Sequence, residues 1–195
     1  MSLSEDLSAR GIAIQEQFLC AAQVVELIEC LDARRARGNF DAARIGTGDG
    51  LQLRADIRGD SICWLSTPLY PAETQLLQSL ERLRLELNRD ALLGLFELEL
   101  HYAAYPPGAG YLRHVDQPSG RDRRKLSLVL YLNLDWNCVD GGELRIFDDH
   151  DGFLAVQPAA GRLVLFLTEG REHCVLPARR ERLSVTGWFS VRPTM

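Results

Sequence analysis

Two histidines, one aspartate and one arginine carry the chemical information in this chain. His114 and Asp116 stand two residues apart in the stretch Tyr111-Leu112-Arg113-His114-Val115-Asp116. In an extended strand, residues i and i+2 project from the same face, so an imidazole and a carboxylate would point at one spot. His173 comes much later, after the strongly apolar run Leu163-Val164-Leu165-Phe166-Leu167, which reads as a buried strand. Two imidazoles and one carboxylate can take one face of an octahedral iron(II) ion and leave the opposite positions open for oxygen and a bidentate ligand. Three protein ligands plus water would also suit a catalytic zinc. Arg182 opens another strand-like stretch, Arg182-Leu183-Ser184-Val185-Thr186-Gly187-Trp188-Phe189. Its guanidinium could hold a carboxylate by a paired hydrogen bond, which zinc hydrolysis does not need; this tips the choice to iron.

These groups need a frame. From Leu126 to Leu134 the leucines alternate with Ser127, Val129, Tyr131 and Asn133. The leucine face belongs in a core. If the other face lines a barrel, the Tyr131 hydroxyl can join Arg182 on a ligand carboxylate. Alternation also puts Arg182, Ser184, Thr186 and Trp188 on one face and Leu183, Val185 and Phe189 on the other, which separates Arg182 from Arg179 and Arg180. Pro71 to Asn88 is predicted to be a helix, with Leu76, Leu77, Leu80, Leu83 and Leu87 as its apolar stripe. Val24 to Leu31 has helical spacing, and Arg34, Arg35 and Arg37 read as its solvated end before a capping Gly38. Leu3 to Phe18 gives no clear period.

Other segments read as connections or edges. Gly46 to Gly50 is a turn, followed by a short alternating strand at Leu51 to Arg54. Ile57 to Leu65 is a loop entering a strand. In the strand Leu95 to Tyr102, Glu97, Glu99 and His101 share a face, read as solvent-facing or paired across the sheet, with His101 structural and hydrogen-bonded. Arg121, Arg123, Arg124 and Lys125 read as an exposed hairpin connection. Gly141-Gly142 marks a close approach before the strand Glu143 to Phe147. Asp148 to Gly152 is an acidic turn without calcium-loop spacing, and His150 there reads as a surface residue.

Composition narrows the class. The chain has 195 residues, a net charge of −5 and five cysteines with no CxxC pair. That length suits one domain. The acidic balance argues against nucleic acid. The absence of a long apolar run argues against a membrane span. The lack of a basic, then apolar, N-terminal segment argues against secretion. Reduced thiols in a cytoplasmic protein are expected.

The order His-x-Asp, His, Arg resembles the iron(II)- and 2-oxoglutarate-dependent oxygenases. Ile57-Arg58-Gly59-Asp60, Tyr105-Pro106, Gly110 to Asp116, Tyr131-Leu132-Asn133, Asp135-Trp136, Gly141 to Phe147 and Thr186-Gly187-Trp188-Phe189 are similar to the prolyl-4-hydroxylase-domain class within it, from about Ile57 onward. That resemblance implies a mainly β fold, a double-stranded β-helix (jelly roll), with N-terminal helices packed outside. It divides the chain into helical support over about 1–95 and a catalytic core over about 96–195.

The same resemblance implies iron(II) on His114, Asp116 and His173, with 2-oxoglutarate and O2 as cosubstrates. The 2-oxoglutarate would be held by Arg182, Tyr131, Tyr105 and Thr186, with L-ascorbate as the reductant of iron. Arg58, Asp60, Arg113 and Trp188 are expected near the substrate or the pocket. The implied substrate is a proline-containing protein or peptide. The same oxygenase chemistry on a non-prolyl or small-molecule substrate, or a non-catalytic sensor, are the alternatives. Oxygen-sensing members carry a further C-terminal helix that the sequence to Met195 does not match.

Overall fold

The computed structural model describes residues 2–46, 52–116, 123–148, 150 and 152–192. Three helices and eleven strands follow one another as α1 (Leu3–Arg10), β1 (Ile12–Gln15), α2 (Ala21–Ala36), β2 (Asp41–Ala42), β3 (Ser61–Trp64), α3 (Pro71–Ala91), β4 (Leu95–Tyr105), β5 (Tyr111–His114), β6 (Arg124–Tyr131), β7 (Leu144–Phe147), β8 (Phe153–Val156), β9 (Leu163–Leu167), β10 (His173–Val175) and β11 (Arg182–Val191). The strands make two antiparallel sheets, one ordered β1-β9-β6-β11-β4-β3-β2 and the other β5-β10-β7-β8. Two such sheets packed face to face give the jelly roll that the sequence implied.

Alternation along the strands of the large sheet sorts side chains into two cores. On β6, Leu126, Leu128 and Leu130 join Leu76, Leu80, Leu83 and Leu87 of α3 in the outer core. Val129 and Tyr131, their neighbours, instead join Val164, Phe166, Leu144 and Ile146 between the two sheets. The helices thus cover one side of the large sheet, and the small sheet covers the other.

The segment 3–18, in which no period was found, contains both α1 and β1. The helix is set by local chemistry: the Ser2 hydroxyl accepts from Glu5 N, Glu5 accepts from Ser2 N, and Gly11 closes the far end in the left-handed conformation at φ 68°. This is a capping box with a glycine stop, which constrains α1 more than its weak apolar pattern does. The N-terminal part is therefore more than helical support, because β1, β2 and β3 all pair into the large sheet.

Two readings of charge need correction. Arg34 is no solvated helix end: it is 7% exposed, and its guanidinium is bidentate on Glu73 of α3 at 2.7 Å twice. It also donates to Ser66 O and Pro68 O. The pair locks α2 to α3 where apolar contact alone would leave both ends uncompensated. Arg124 belongs to β6 rather than to a hairpin connection, and its guanidinium carbon lies 3.6 Å from the Trp188 ring centroid. Of the other connections, Gly46–Gly50 beyond Gly46, the strand start at Leu51, Gln117–Asp122, Asp149 and Asp151 lie outside the described residues. The expected strand over 51–54 is reduced, among described residues, to a bridge between Ile45 and Gln52.

Removing one partner of a buried ion pair strands the other charge, at about 3–5 kcal/mol. Glu73→Leu should lower unfolding stability by that amount in urea titrations. Arg34→Met in the same chain should recover part of the loss, since the buried charge is then gone.

Candidate metal centre and anion pocket

His114 ends β5 and His173 begins β10, and the two are direct partners in the ladder between those strands. Asp116 lies just past β5 on the same side as His114. One ligand atom from each of the three residues lies within 4.8 Å of the others. His114 Nε2 is 3.7 Å from Asp116 Oδ1, and His173 Nε2 is 3.6 Å from Asp116 Oδ2.

Each imidazole is oriented by its backbone side. His114 Nδ1 is 2.7 Å from Leu112 O, and His173 Nδ1 is 3.3 Å from Arg171 O. A carbonyl can only accept, so each ring carries its proton on Nδ1 and presents the Nε2 lone pair inward. Tyr111 stacks flat on His114 at 3.5 Å, and Phe166 meets His173 edge-on at 4.8 Å. Burial, then the nearby His173, pushes His114 down to a pKa of about 4, which keeps it an uncharged donor at neutral pH. Burial alone would raise the Asp116 carboxyl; His173, His114 and the Ser127 hydroxyl outweigh it and hold the group below its ordinary value. Two imidazole nitrogens and one carboxylate oxygen converging on one point fit a divalent first-row metal.

Deeper in the same cavity of about 50 Å³ stands Arg182. It is 2% exposed, and no carboxylate among the described residues pairs with it. Its Nε donates to Gly142 O at 3.0 Å, while Nη2 is buried without a partner. Gly142 has φ 74°, and a Cβ there would sit 3.2 Å from Trp136 and 3.4 Å from Arg182 Cδ, so glycine lets the carbonyl reach the guanidinium. Tyr105 and Tyr131 flank the cation, with ring centroids 5.3 and 5.0 Å from its carbon. The Tyr131 hydroxyl, fully buried beside this guanidinium, has no hydrogen bond of normal geometry among the described residues. A buried cation and phenol left unsatisfied are costly unless an anion completes them. The cavity is thus a metal-type donor set with an anion-binding end.

The remaining expected residues divide. Arg58 and Asp60 form a two-bond ion pair at 2.7 and 2.9 Å, and both line the cavity. Tyr105, Thr186 and Trp188 line it too, and Tyr131 packs beside Arg182, its ring centroid 5.0 Å from the guanidinium carbon. Arg113 does not reach it. As the strand neighbour of His114 it points the other way, paired with Glu172 and packed 3.9 Å from the centre of the Phe147 ring.

Two wall residues were missed. Ser127 donates to Asp116 Oδ2 at 2.7 Å. His101, read as a hydrogen-bonded structural residue, is 1% exposed, lies between Trp64 and Trp188 at 4.8 and 5.5 Å, and has no partner for Nδ1. Ser127 was accessible from alternation, since it shares a face with Tyr131; His101 shares one with the exposed Glu97 and Glu99 as well as with Tyr105, so alternation alone did not give its burial.

Arg58, Tyr111, Asp116 and Trp188 also line a second, open groove of about 920 Å³, so the cavity and the groove share a wall there.

The profile described as the 2OG-Fe(II) oxygenase superfamily matches residues 100–190. Human prolyl hydroxylase EGLN3 is 33% identical over 180 residues, covering 87% of this chain and 72% of its own. Human Egl nine homolog 1 is 32% identical over 193 residues, covering 94% of this chain and 44% of its own. The chain spans about half the length of the Egl nine homologs it matches. Among solved structures, a Pseudomonas putida prolyl-4-hydroxylase superposes with a TM-score of 0.88 at 42% identity, over 98% of each chain. A Trichoplax adhaerens prolyl hydroxylase, in complex with a hypoxia inducible factor oxygen degradation domain peptide fragment, superposes with a TM-score of 0.87 at 28% identity, over 96% of this chain and 87% of that one.

Burial, ahead of repulsion by Arg58, pushes His101 down to a pKa of about 3. The unfolded imidazole takes up a proton near its ordinary value of 6.5, while the folded one resists. Stability is therefore intact above pH 6.5 and declines as pH falls toward 3. Between pH 7 and pH 5 this amounts to about 2 kcal/mol. His101→Leu should lose less stability over that interval by about that amount, compared by urea unfolding of metal-free protein at both pH values.

Proposed function

Because the chain belongs to the 2OG-Fe(II) oxygenase superfamily, we propose that it is a prolyl 4-hydroxylase acting on a proline-containing protein or peptide. The observation that carries this reading is the joining, in one cavity, of the His114, Asp116 and His173 donors with the unpaired Arg182 cation. Support comes from the 42% identity to the P. putida prolyl-4-hydroxylase over nearly the whole of both chains.

In this reading His114, Asp116 and His173 hold iron(II). Arg182 binds the distal carboxylate of 2-oxoglutarate, the Tyr131 hydroxyl adds a second donor, and Tyr105 and Thr186 complete the wall around it. When bound, iron(II), 2-oxoglutarate and O2 supply an oxidant that turns a C–H bond into C–OH, with succinate and carbon dioxide as the other products. The protein's residues orient and exclude. The Nδ1–H groups of both histidines donate to the Leu112 and Arg171 carbonyls, which fixes the two rings in orientation. Leu144, Val175 and Phe166 keep the cavity wall apolar around the donors. The open groove of about 920 Å³ beside Arg58 and Tyr111, which shares a wall with the cavity, takes the peptide. L-Ascorbate serves as the reductant that keeps the iron ferrous. Among the described residues no helix is long and apolar enough to cross a membrane; the cytoplasm is the proposed compartment.

Incubation with iron(II), 2-oxoglutarate and a library of proline-containing peptides should add one oxygen atom to a proline, read by mass spectrometry; addition only to other residues, or none, would count against the reading. Asp116→Ala should abolish iron binding in a calorimetric titration while the fold persists by circular dichroism. Arg182→Ala should raise the 2-oxoglutarate KM by roughly 10–100-fold, the worth of a charge-assisted contact of about 1.5–3 kcal/mol, with iron affinity little changed.

A further inference from the structure

Ser127 has no place in the scheme above, yet it is 2% exposed and sits in the wall of the metal cavity. Strand β6 brings it there as the direct ladder partner of Trp188 on β11, while Leu126 and Leu128 on either side face the helices. Its Oγ lies 2.7 Å from Asp116 Oδ2. An ionised carboxylate only accepts, so the direction of this bond is fixed: the hydroxyl donates. Oδ1 faces His114 Nε2 at 3.7 Å and Oδ2 faces His173 Nε2 at 3.6 Å, and the Ser127 bond falls on Oδ2.

We infer that Ser127 is a positioning residue that makes Asp116 a one-oxygen metal ligand, holding Oδ2 on its hydroxyl and leaving Oδ1 for the ion. The inference rests on the metal-centre reading above. A carboxylate with both oxygens free can chelate a cation through both. Two histidines and one carboxylate oxygen leave three positions of an octahedron open, the number that a two-point acid and a gas molecule need. A second carboxylate oxygen would fill one of them. Strand register sets the hydroxyl in place before any ion arrives. The bond also offsets the solvation that Asp116 loses on burial.

Cobalt(II), a visible-absorbing substitute for iron(II), serves as the probe, titrated into metal-free protein and followed by its absorption bands and by the rise in melting temperature. Ser127→Ala is expected to weaken cobalt(II) binding by roughly 10–100-fold, the usual effect of losing an outer hydrogen bond to a ligand. Its absorption spectrum should shift as a second oxygen joins the ion. Ser127→Thr, which keeps the hydroxyl, should restore both properties. Ser127→Cys, similar in size but a weak donor, should behave as alanine does and replaces it if alanine fails to fold. A Ser127→Ala or Ser127→Cys protein with wild-type cobalt(II) affinity and spectrum overturns the inference alone. A wild type that takes up no cobalt(II) overturns it together with the metal-centre reading.

Discussion

A strand has only two sides, and the large sheet gives them opposite chemistries. Across β4, β11 and β6 the ladder sets Ala103, Ser184 and Tyr131 in one row, His101, Thr186 and Val129 in the next, and Glu99, Trp188 and Ser127 in a third. Between these columns run Tyr102, Val185 and Leu130, which belong to the core under the helices. The polar grid beneath the cavity and the leucine floor beneath α3 are therefore the same three strands seen from two sides. A register slip of one residue would turn leucines onto the metal ligands and drive Arg182 into hydrocarbon. Burial of the leucine side thus fixes the placement of every polar group on the other.

The small sheet supplies what the grid lacks. Both histidines come from it, and they meet because β5 and β10 are paired neighbours. The carboxylate that joins them is held from the opposite sheet by Ser127. The three donors thus all come from β5, its exit and β10, and the large sheet adds across the gap the hydroxyl that holds the carboxylate.

Much of this was legible in the chain itself. The alternation of β6 and β11 told the core side from the cavity side residue by residue, and the two-residue spacing of His114 and Asp116 made them converge. Three side chains were placed in the wrong surroundings. Arg34 and Glu73 lie far apart in sequence, so nothing local separated a buried ion pair from a solvated helix end. His101 follows Glu97 and Glu99 on one face of β4, but the strand runs from the open edge of the fold into its interior, and the face changes from exposed to buried along the way. Arg113 carried a charge beside a ligand, and sequence proximity suggested the cavity although strand geometry sends it to the far side. In the first two cases long-range packing decided the environment; in the third the local rule sufficed.

Arg182 and Tyr131 are both enclosed at one end of the cavity, and the cavity shares Arg58, Tyr111, Asp116 and Trp188 with the groove. In the proposed reading, an acid held by Arg182 and a chain lying in the groove would stand on either side of that shared wall, so each would screen the other from water.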